Sequence, residues 1–401
     1  MRHHTIVCRL GAQDTVRVAP ARADSHVTGI SFIEGTRRLG FGLEQMLEQL
    51  GELGMQPSER AVDLALFAAA VTAADTRISR ETESQDGWTR EVDLHVPVAD
   101  PSVWALHSGL ITVMLNFLTG DRWGVHFRAR PASLSKLTER PEKLRTADPS
   151  CVCLLSGGLD SFIGAIDLVA RNEHPFFVSH YWVGSANKHQ VHCFEALKAR
   201  FPAARMHHLR AYVGFPNDVI DGSGVENTLR ARSFLFFALA ALAASAAGGN
   251  VLIHVPENGF ISLNVPLDPL RLGALSTRTT HPYYMARFNE LLSVLGITAQ
   301  LENRYRHKTK GQMVSECADR ELLKRDAKNT MSCASDAKAR WFGKEPMHCG
   351  HCVPCLIRRA ALVRGFGKDD TNYHLSGLRA GIIDTNKAEG EHVEIQGLQA
   401  G

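Results

Sequence analysis

Hydrophobic and polar positions along the chain follow two alternating patterns. Short apolar runs, such as residues 5–10 and 152–155, are separated by longer segments with helical periodicity, such as residues 59–74 and 162–170. Apolar runs of this length are typical of buried strands, and the 3.6-residue period is typical of helices that bury one face. After residue 150 the two patterns alternate regularly, which predicts an α/β fold built on a doubly wound parallel sheet.

Before residue 130 the order is less regular. Strands are predicted at 5–10, 88–96 and 123–128, and helices at 42–50, 59–74 and 102–118. This mixture predicts a small α+β domain. The whole chain is therefore divided into an N-terminal α+β domain (1–130), a linker rich in Pro, Ser, Lys and Arg (131–150), the α/β domain (151–367) and a polar C-terminal tail (368–401).

Composition narrows the functional classes. The chain has 401 residues, 44% of them hydrophobic, and a formal charge of only +3, so a nucleic-acid partner is not expected. The apolar runs at 104–118 and 234–247 are shorter than the roughly 20 residues that cross a bilayer, so we expect buried helices and no membrane partner. Without a signal-like N-terminus, the chain is expected to be cytoplasmic, where clustered cysteines indicate a metal rather than disulfides.

A glycine-rich hexapeptide carries the strongest chemical signal. It lies between a predicted strand and a predicted helix and consists of Ser156, Gly157, Gly158, Leu159, Asp160 and Ser161. Free main-chain N–H groups and the positive end of a helix dipole would meet there, which is how a chain binds phosphate oxygens. Asp160 is placed to hold Mg²⁺ between phosphates, and the lysine of a Walker loop is missing. The segment resembles the pyrophosphate loop of ATP pyrophosphatases; the alternative is a glycine turn without a ligand.

A second signal is a cysteine cluster. Cys333, Cys349, Cys352 and Cys355 fall within 23 residues, with the spacing of four thiolates around one structural Zn²⁺. His348 or His351 could replace one thiolate, and an iron–sulfur cluster is the competing interpretation. The other five cysteines are expected to be small buried hydrophobes: Cys8, Cys151, Cys153, Cys193 and Cys317.

Taken together, these two motifs resemble one known family. The segment Cys349-Gly-His-Cys352-Val-Pro-Cys355-Leu-Ile-Arg358, some 190 residues after the loop, is similar to the zinc segment of the QueC family, the 7-cyano-7-deazaguanine synthases. The likeness covers about residues 150–365. It implies a sheet of the ATP pyrophosphatase (adenine nucleotide α-hydrolase-like) type with a zinc knuckle. It also implies an enzyme that uses ATP and Mg²⁺ to adenylate a deazapurine carboxylate, releases pyrophosphate, and forms an amide when an amine displaces AMP.

The resemblance also implies roles for single residues. Besides Asp160, the catalytic candidates are Lys310 and Arg232, because cations can stabilise the pentavalent phosphorus of the transition state or orient the carboxylate. The candidates for substrate contact are Tyr181, Arg232, Glu257, Asn258 and Arg278. The chain departs from the family at Phe162, at Ser233 and over residues 256–265, so purine recognition is expected to differ.

The N-terminal addition has no counterpart in the housekeeping synthases. Its presence before a QueC-like core resembles the QueC-like proteins of bacterial anti-phage systems, those of the Qat type in particular. That likeness implies a protein partner whose N-terminal amine accepts the deazapurine, with homodimerisation left open. Three alternatives remain: a 7-cyano-7-deazaguanine synthase with ammonia as acceptor, a tRNA-thiolating relative, and an ATP-binding scaffold without activity. Trp88, Trp104 and Trp123 are expected to pack in the core rather than anchor an interface.

Overall fold

The structure is a computed structural model that describes residues 2–35, 38–84, 86–181, 184–220, 222–226, 228–263, 278–334, 339, 343 and 345–374. Within them the chain forms two all-parallel sheets, one of four strands and one of five, and a short antiparallel pair. The α/β class is therefore confirmed. The more specific ATP pyrophosphatase type stays a prediction, and most of the C-terminal tail lies outside the described residues.

The four-stranded sheet belongs to the N-terminal part of the chain. Its elements are the strands β1 (His3–Arg9), β2 (His26–Ser31), β3 (Ile33–Glu34), β4 (Arg38–Leu39), β5 (Glu91–Val98) and β6 (Arg122–Ala129), and the helices α1 (Leu43–Glu52), α2 (Glu59–Arg77), α3 (Arg80–Glu83), α4 (Pro101–Leu106) and α5 (Ser108–Thr119). The sheet order is β2-β1-β5-β6, and β3 pairs only with β4.

The prediction of an α+β domain for this part is wrong, because every pairing in its four-stranded sheet is parallel. Parallel neighbours need crossover connections, and α1 with α2 provides one while α4 with α5 provides the next. The predicted strands and helices near these positions were correct, but β2 was missed. The helix predicted between the strands at 88–96 and 123–128 was not interpreted as the crossover between two parallel neighbours.

The five-stranded sheet follows in the second part of the chain. Its strands are β7 (Cys151–Leu154), β8 (Pro175–Tyr181), β9 (His207–Tyr212), β10 (Val251–His254) and β11 (Ala299–Glu302). The helices are α6 (Leu159–Ala170), α7 (Gly184–Arg200), α8 (Arg232–Ala247), α9 (Gly259–Ser262), α10 (Pro282–Val294), α11 (Lys310–Glu316), α12 (Arg320–Asp326) and α13 (Val353–Phe366).

Strand order fixes where a ligand can bind. The order β11-β10-β7-β8-β9 means that the chain builds outward from β7 in one direction and then returns to add β10 on its other side. The turns after β7 and β10 therefore diverge and leave a crevice at the carboxyl ends of these two neighbouring strands. We call residues 156–161, the hexapeptide that is predicted to bind phosphate, the phosphate loop. It follows β7, and residues 256–259 follow β10.

One apolar core connects the two sheets. Helices α2 and α8 pack against each other, and their buried residues belong to the same hydrophobic cluster. The rings of Phe67 and Phe234 lie 5.4 Å apart, edge to face. The interposed segment 131–150 is also packed, since Leu134 and Ala147 are buried. The division into domains remains a prediction, and the halves it separates share their interior.

Several smaller predictions are also decided. Trp104 and Trp123 lie in the core, and all five isolated cysteines are buried. Trp88 is only partly buried and lies under the guanidinium of Arg230, 3.7 Å from the ring centre. Among the residues that the structure describes, none of the helices has the length and apolar character needed to cross a bilayer.

Candidate functional site

The phosphate loop turns sharply between β7 and α6. Gly157 has a φ of +81°, which favours glycine, and a Cβ there would lie 3.0 Å from the Gln190 main-chain nitrogen. The Ser156 hydroxyl lies 3.0 Å from that of Ser161 and accepts a weak hydrogen bond from the Gly158 N–H at 3.3 Å. Helix α6 has no side-chain cap among the described residues. Its first-turn N–H groups are therefore available to an anion at the switch point.

Asp160 lies in that first turn, 5% exposed. Its Oδ2 accepts hydrogen bonds from the Asn258 side-chain amide at 2.7 Å and from the Asn258 main-chain N–H at 3.2 Å. Its Oδ1 faces the Lys310 ammonium at 3.2 Å, and the Glu257 carboxyl also makes a hydrogen bond with Asp160. Carboxylate oxygens are the ligands that Mg²⁺ prefers, so Asp160 could hold such an ion.

Close packing brings the two turns together. A Cβ on Gly164 of α6 would lie 2.3 Å from the Pro256 ring, so only glycine allows this approach. The turn after β10 is fixed from its other side, because the Asn303 amide donates to the Glu257 carbonyl at 2.8 Å. Helix α11 begins at Lys310 with a complete capping box between Thr309 and Gln312. Three separate contacts thus fix the positions of Asp160, the 257–258 turn and Lys310.

Glu257 has an unusual charge state. Burial, and then the negative charge of Asp160, raise the pKa of its carboxyl to about 8, although Lys310 opposes the shift. At neutral pH this group is therefore a neutral acid beside the Asp160–Lys310 pair. A protonated carboxyl can donate one hydrogen bond and accept others, as the recognition of a heterocyclic base requires.

The remaining predicted site residues contact other parts of the chain. Tyr181 ends β8, with the Arg210 guanidinium 5.3 Å from its ring centre. Arg232 begins α8, is exposed, and helps burial to lower the pKa of the neighbouring His180 to about 4. Arg278 donates to the Phe117 carbonyl and lies over the Phe117 ring. The structure thus gives Arg278 contacts with α5, and its predicted contact with the substrate stays a prediction.

Asn258 also differs from expectation in its contacts. Its side chain is fully buried, bonded to Asp160 through the amide nitrogen, while its oxygen accepts the Ile261 N–H at 3.2 Å. These contacts orient Asp160 and cap α9. The predicted contact with a purine stays a prediction, and the signal for the observed role, an Asn before a helix start, was present in the sequence.

The four clustered cysteines converge. Their sulfur atoms all lie within 4.8 Å of one another, with Cys333–Cys352 and Cys349–Cys355 at 3.9 Å. A tetrahedral ion with bonds of about 2.3 Å would separate its sulfur ligands by about 3.8 Å, so the set fits one zinc-sized ion. The Cys349 N–H donates to the Cys333 sulfur, and the Cys352 N–H donates to that of Cys349, both at 3.3 Å. These bonds favour thiolates.

The histidines beside the cluster are placed differently. The Nε2 of His348 accepts the Ser332 N–H at 3.2 Å. The four cysteines that could hold a metal ion supply all four ligands of a tetrahedral site, so neither His348 nor His351 is needed as a ligand. The space enclosed by the four sulfurs suits a single ion better than a cluster that contains its own sulfide.

Sequence reasoning missed the residues that support the loop from behind. Gln190 is fully buried and donates to the His180 carbonyl at 3.0 Å, and the Met331 N–H donates to the Gly157 carbonyl at 2.8 Å. Neither belongs to a local motif.

In comparisons with known proteins, no family model matches the chain, and no curated protein matches it significantly.

Proposed function

We propose that this protein is a QueC-like enzyme of the ATP pyrophosphatase type, which splits ATP into AMP and pyrophosphate and transfers AMP to a carboxylate. One observation carries the proposal. A glycine loop and a helix start without a side-chain cap among the described residues lie at the sheet's switch point, beside the buried Asp160 that faces Lys310. These groups match the needs of a nucleotide triphosphate with its metal ion.

Each residue of the site has a task in this reaction. The main-chain N–H groups of residues 157–161 bind the phosphates that leave as pyrophosphate, and they stabilise the charge that develops there. Asp160, oriented by Asn258, would hold Mg²⁺, which would neutralise phosphate charge. Lys310, whose ammonium lies 3.2 Å from Asp160, is the cation that we assign to the α-phosphate.

The carboxylate substrate is proposed to be a 7-deazaguanine acid. Glu257, neutral at pH 7, is the group we assign to the polar edge of the base, with Tyr181 and Arg232 at the neighbouring strand end. For the acceptor we propose the N-terminal amine of a partner protein in anti-phage defence. This part depends on the QueC-like resemblance and on the additional N-terminal half.

The test measures products. Purified protein with Mg-ATP, 7-carboxy-7-deazaguanine and an amine acceptor should release pyrophosphate as the adenylate forms and AMP as the amine displaces it, and Asp160→Asn should lower the rate by about a hundredfold or more. Asp167→Asn is the matched control, because Asp167 is a buried carboxylate of the same helix that binds Tyr305 and Ala318 instead. It should retain the nucleotide reaction.

Other products would decide against the proposal. Release of ADP and phosphate would contradict cleavage at the α-phosphorus. Tight ATP binding without turnover for any carboxylate or acceptor would favour the scaffold alternative. Intact-mass spectrometry of co-purifying proteins should reveal an adduct of deazapurine size on an N-terminus; an amide or nitrile formed from ammonia would instead identify the synthase alternative.

One feature favours the tRNA alternative. A groove of about 240 Å³ beside α12 and α13 is lined by Lys324, Arg325, Lys328 and Lys368. Arg325 and Lys368 are paired with Asp326 and Asp370. If tRNA binds here, its affinity should fall steeply with salt, and Lys324→Glu with Lys328→Glu should abolish it.

A further inference from the structure

The phosphate loop rests on a segment that comes from the region of the cysteine cluster. We call residues 327–332 the supporting segment. Besides the hydrogen bond from the Met331 N–H to the Gly157 carbonyl, the Met331 carbonyl approaches Gly158 so closely that a Cβ there would lie only 3.3 Å away. The position of Met331 therefore sets the position of both glycines.

One buried side chain makes several of the hydrogen bonds that hold the supporting segment. Arg358 of α13 is 0% exposed, and its guanidinium donates to the Ala327 carbonyl at 2.5 Å and to the Thr330 hydroxyl at 2.8 Å. Thr330 in turn donates to the Ala327 carbonyl at 2.7 Å. A planar, fork-shaped guanidinium carries five donors on three nitrogens and can bridge acceptors that lie apart, whereas a lysine ammonium has its three donors on one nitrogen.

The same segment leads directly into the metal site. Cys333 follows Ser332, and only Ser332 separates this ligand from Met331. Cys355, another ligand, lies three residues before Arg358 on α13, one helical turn away and on the same side of the helix. The ion and the guanidinium therefore hold one short stretch of chain, the ion at its end and Arg358 along its length.

We propose that Arg358 is a positioning residue for the phosphate loop, and that it acts together with the metal held by the four cysteines. The pair fixes the supporting segment, and the segment fixes the main-chain N–H groups that face the phosphates. The structural ion thereby sets the affinity for nucleotide, although it lies outside the crevice. The affinity readout rests on the proposed function, whereas the order of the loop does not.

Hydrogen exchange of the nucleotide-free protein tests the order of the loop. In the zinc-loaded wild type, peptides covering residues 154–162 should exchange slowly. Arg358→Gln, and the wild type after zinc chelation, should exchange there about tenfold or more faster, in the range that removal of outer-shell partners commonly produces. Peptides of β1 and α8 should be unchanged. The same variants should weaken Mg-ATP binding by about tenfold or more, with the zinc content of Arg358→Gln retained.

Two variants separate positioning from general stability. Thr330→Val removes one acceptor of Arg358 at nearly constant volume and should give the same local change in a milder form. Arg358→Lys keeps the charge but not the fork, and should behave like Arg358→Gln. The matched control is Arg320→Gln, since Arg320 donates to the Gly365 carbonyl at the other end of α13 at 2.6 Å. It should leave exchange at residues 154–162 unchanged.

The proposal is overturned if folded Arg358→Gln and chelated protein exchange like the wild type at residues 154–162, or if exchange rises equally in every peptide. Full recovery in Arg358→Lys would overturn the role of the fork. Failure of the wild type to bind Mg-ATP would contradict the proposed function alone, because the exchange result would still stand.

Discussion

At the scale of single residues, the candidate site depends on the charge states of groups packed around Asp160. Asn258 and Lys310 stabilise the Asp160 carboxylate, and that negative charge in turn helps to keep Glu257 protonated. Burial is the largest cause of the raised pKa of Glu257.

Glu257→Gln should reveal this protonation as a dependence of stability on pH. The pKa of Glu257 is about 8 in the folded protein and about 4.3 in an unfolded chain, so the unfolded state releases the proton first. The free energy of unfolding of the wild type therefore falls from about pH 4.5 to 8 through this group. Glutamine does not titrate, so the variant should be roughly 2 kcal/mol more stable than the wild type at pH 8.5 but not at pH 5.

Urea unfolding at the two pH values measures the effect. Glu142→Gln, at an exposed glutamate of the 131–150 segment, is the control and should follow the wild type at both. An equal difference between Glu257→Gln and the wild type at pH 5 and pH 8.5 would contradict a protonated Glu257.

Local sequence was informative for some of these residues and not for others. The loop and its aspartate could be predicted, because strand, glycines and helix start are contiguous. The contact of Arg278 could not be, because its partner Phe117 lies 161 positions earlier and no pattern in the sequence links the two. The same holds for Met331 and Arg358, whose importance arises only from tertiary packing.

At the scale of elements, helix starts place the chemistry. Lys310 is the first residue of α11, and its approach to Asp160 depends on the capping box made by Thr309 and Gln312. Thr309→Ala removes the hydroxyl that accepts the Gln312 N–H at 3.2 Å. We expect a loss of about 1 kcal/mol in the free energy of unfolding and weaker Mg-ATP binding, since the backbone of Lys310 is no longer fixed.

Thr309→Ser preserves the cap and should retain both properties. Titration with Mg-ATP and urea unfolding provide the two measurements. A Thr309→Ala protein that lost stability but bound nucleotide as tightly as the wild type would separate the cap from the position of Lys310.

Element prediction succeeded where periodicity was strong. Apart from the short α9, the predicted α/β alternation after residue 150 matches β7 to α11 in order, because β7 and β10 are mostly apolar and α6, α7, α8 and α10 are each longer than three turns. It failed on topology before residue 130. Helices between the predicted strands already indicated crossovers, but Thr28, Gly29 and Ser31 interrupt the apolar residues of β2 and hid this strand from a search for apolar runs.

At the scale of the whole molecule, a buried ionic network reinforces the shared core. Asp121 accepts hydrogen bonds from Arg90 and Arg80, at 2.7 and 2.8 Å for the two terminal guanidinium nitrogens. The Arg80 main-chain N–H donates at 2.9 Å to Glu226, which belongs to the segment that leads into α8. The network thus connects the chain that follows β9 to the N-terminal sheet.

Asp121→Asn should destabilise the entire protein. Burial alone would raise the pKa of Asp121, but Arg90 and Arg80 outweigh it and lower the pKa to about 2. The stabilisation is therefore present above about pH 4 and is lost as the pH falls toward 2. Removing the charge leaves two buried guanidinium groups undercompensated, for which we expect a loss of about 3–5 kcal/mol at pH 7.

Urea unfolding followed by Trp fluorescence and by hydrogen exchange in α8 should show one coincident transition in the wild type and in the variant. Asp148→Asn, at a carboxylate whose side chain is 91% exposed, should change the free energy of unfolding by less than about 0.5 kcal/mol. Two separate transitions, only one of them shifted by Asp121→Asn, would mean that the halves fold independently.

The order in which the loop and its supporting segment occur also matters while the protein is being made. Met331 lies about 170 residues after Gly158, so at about 5–20 residues per second a ribosome needs roughly 10–30 s to reach it. During that time Gly157 and Gly158 of the nascent chain lack the contacts that Met331 makes with them in the folded protein. On the proposal for Arg358, ATP capture begins only after translation has passed α13 and the cell has delivered zinc.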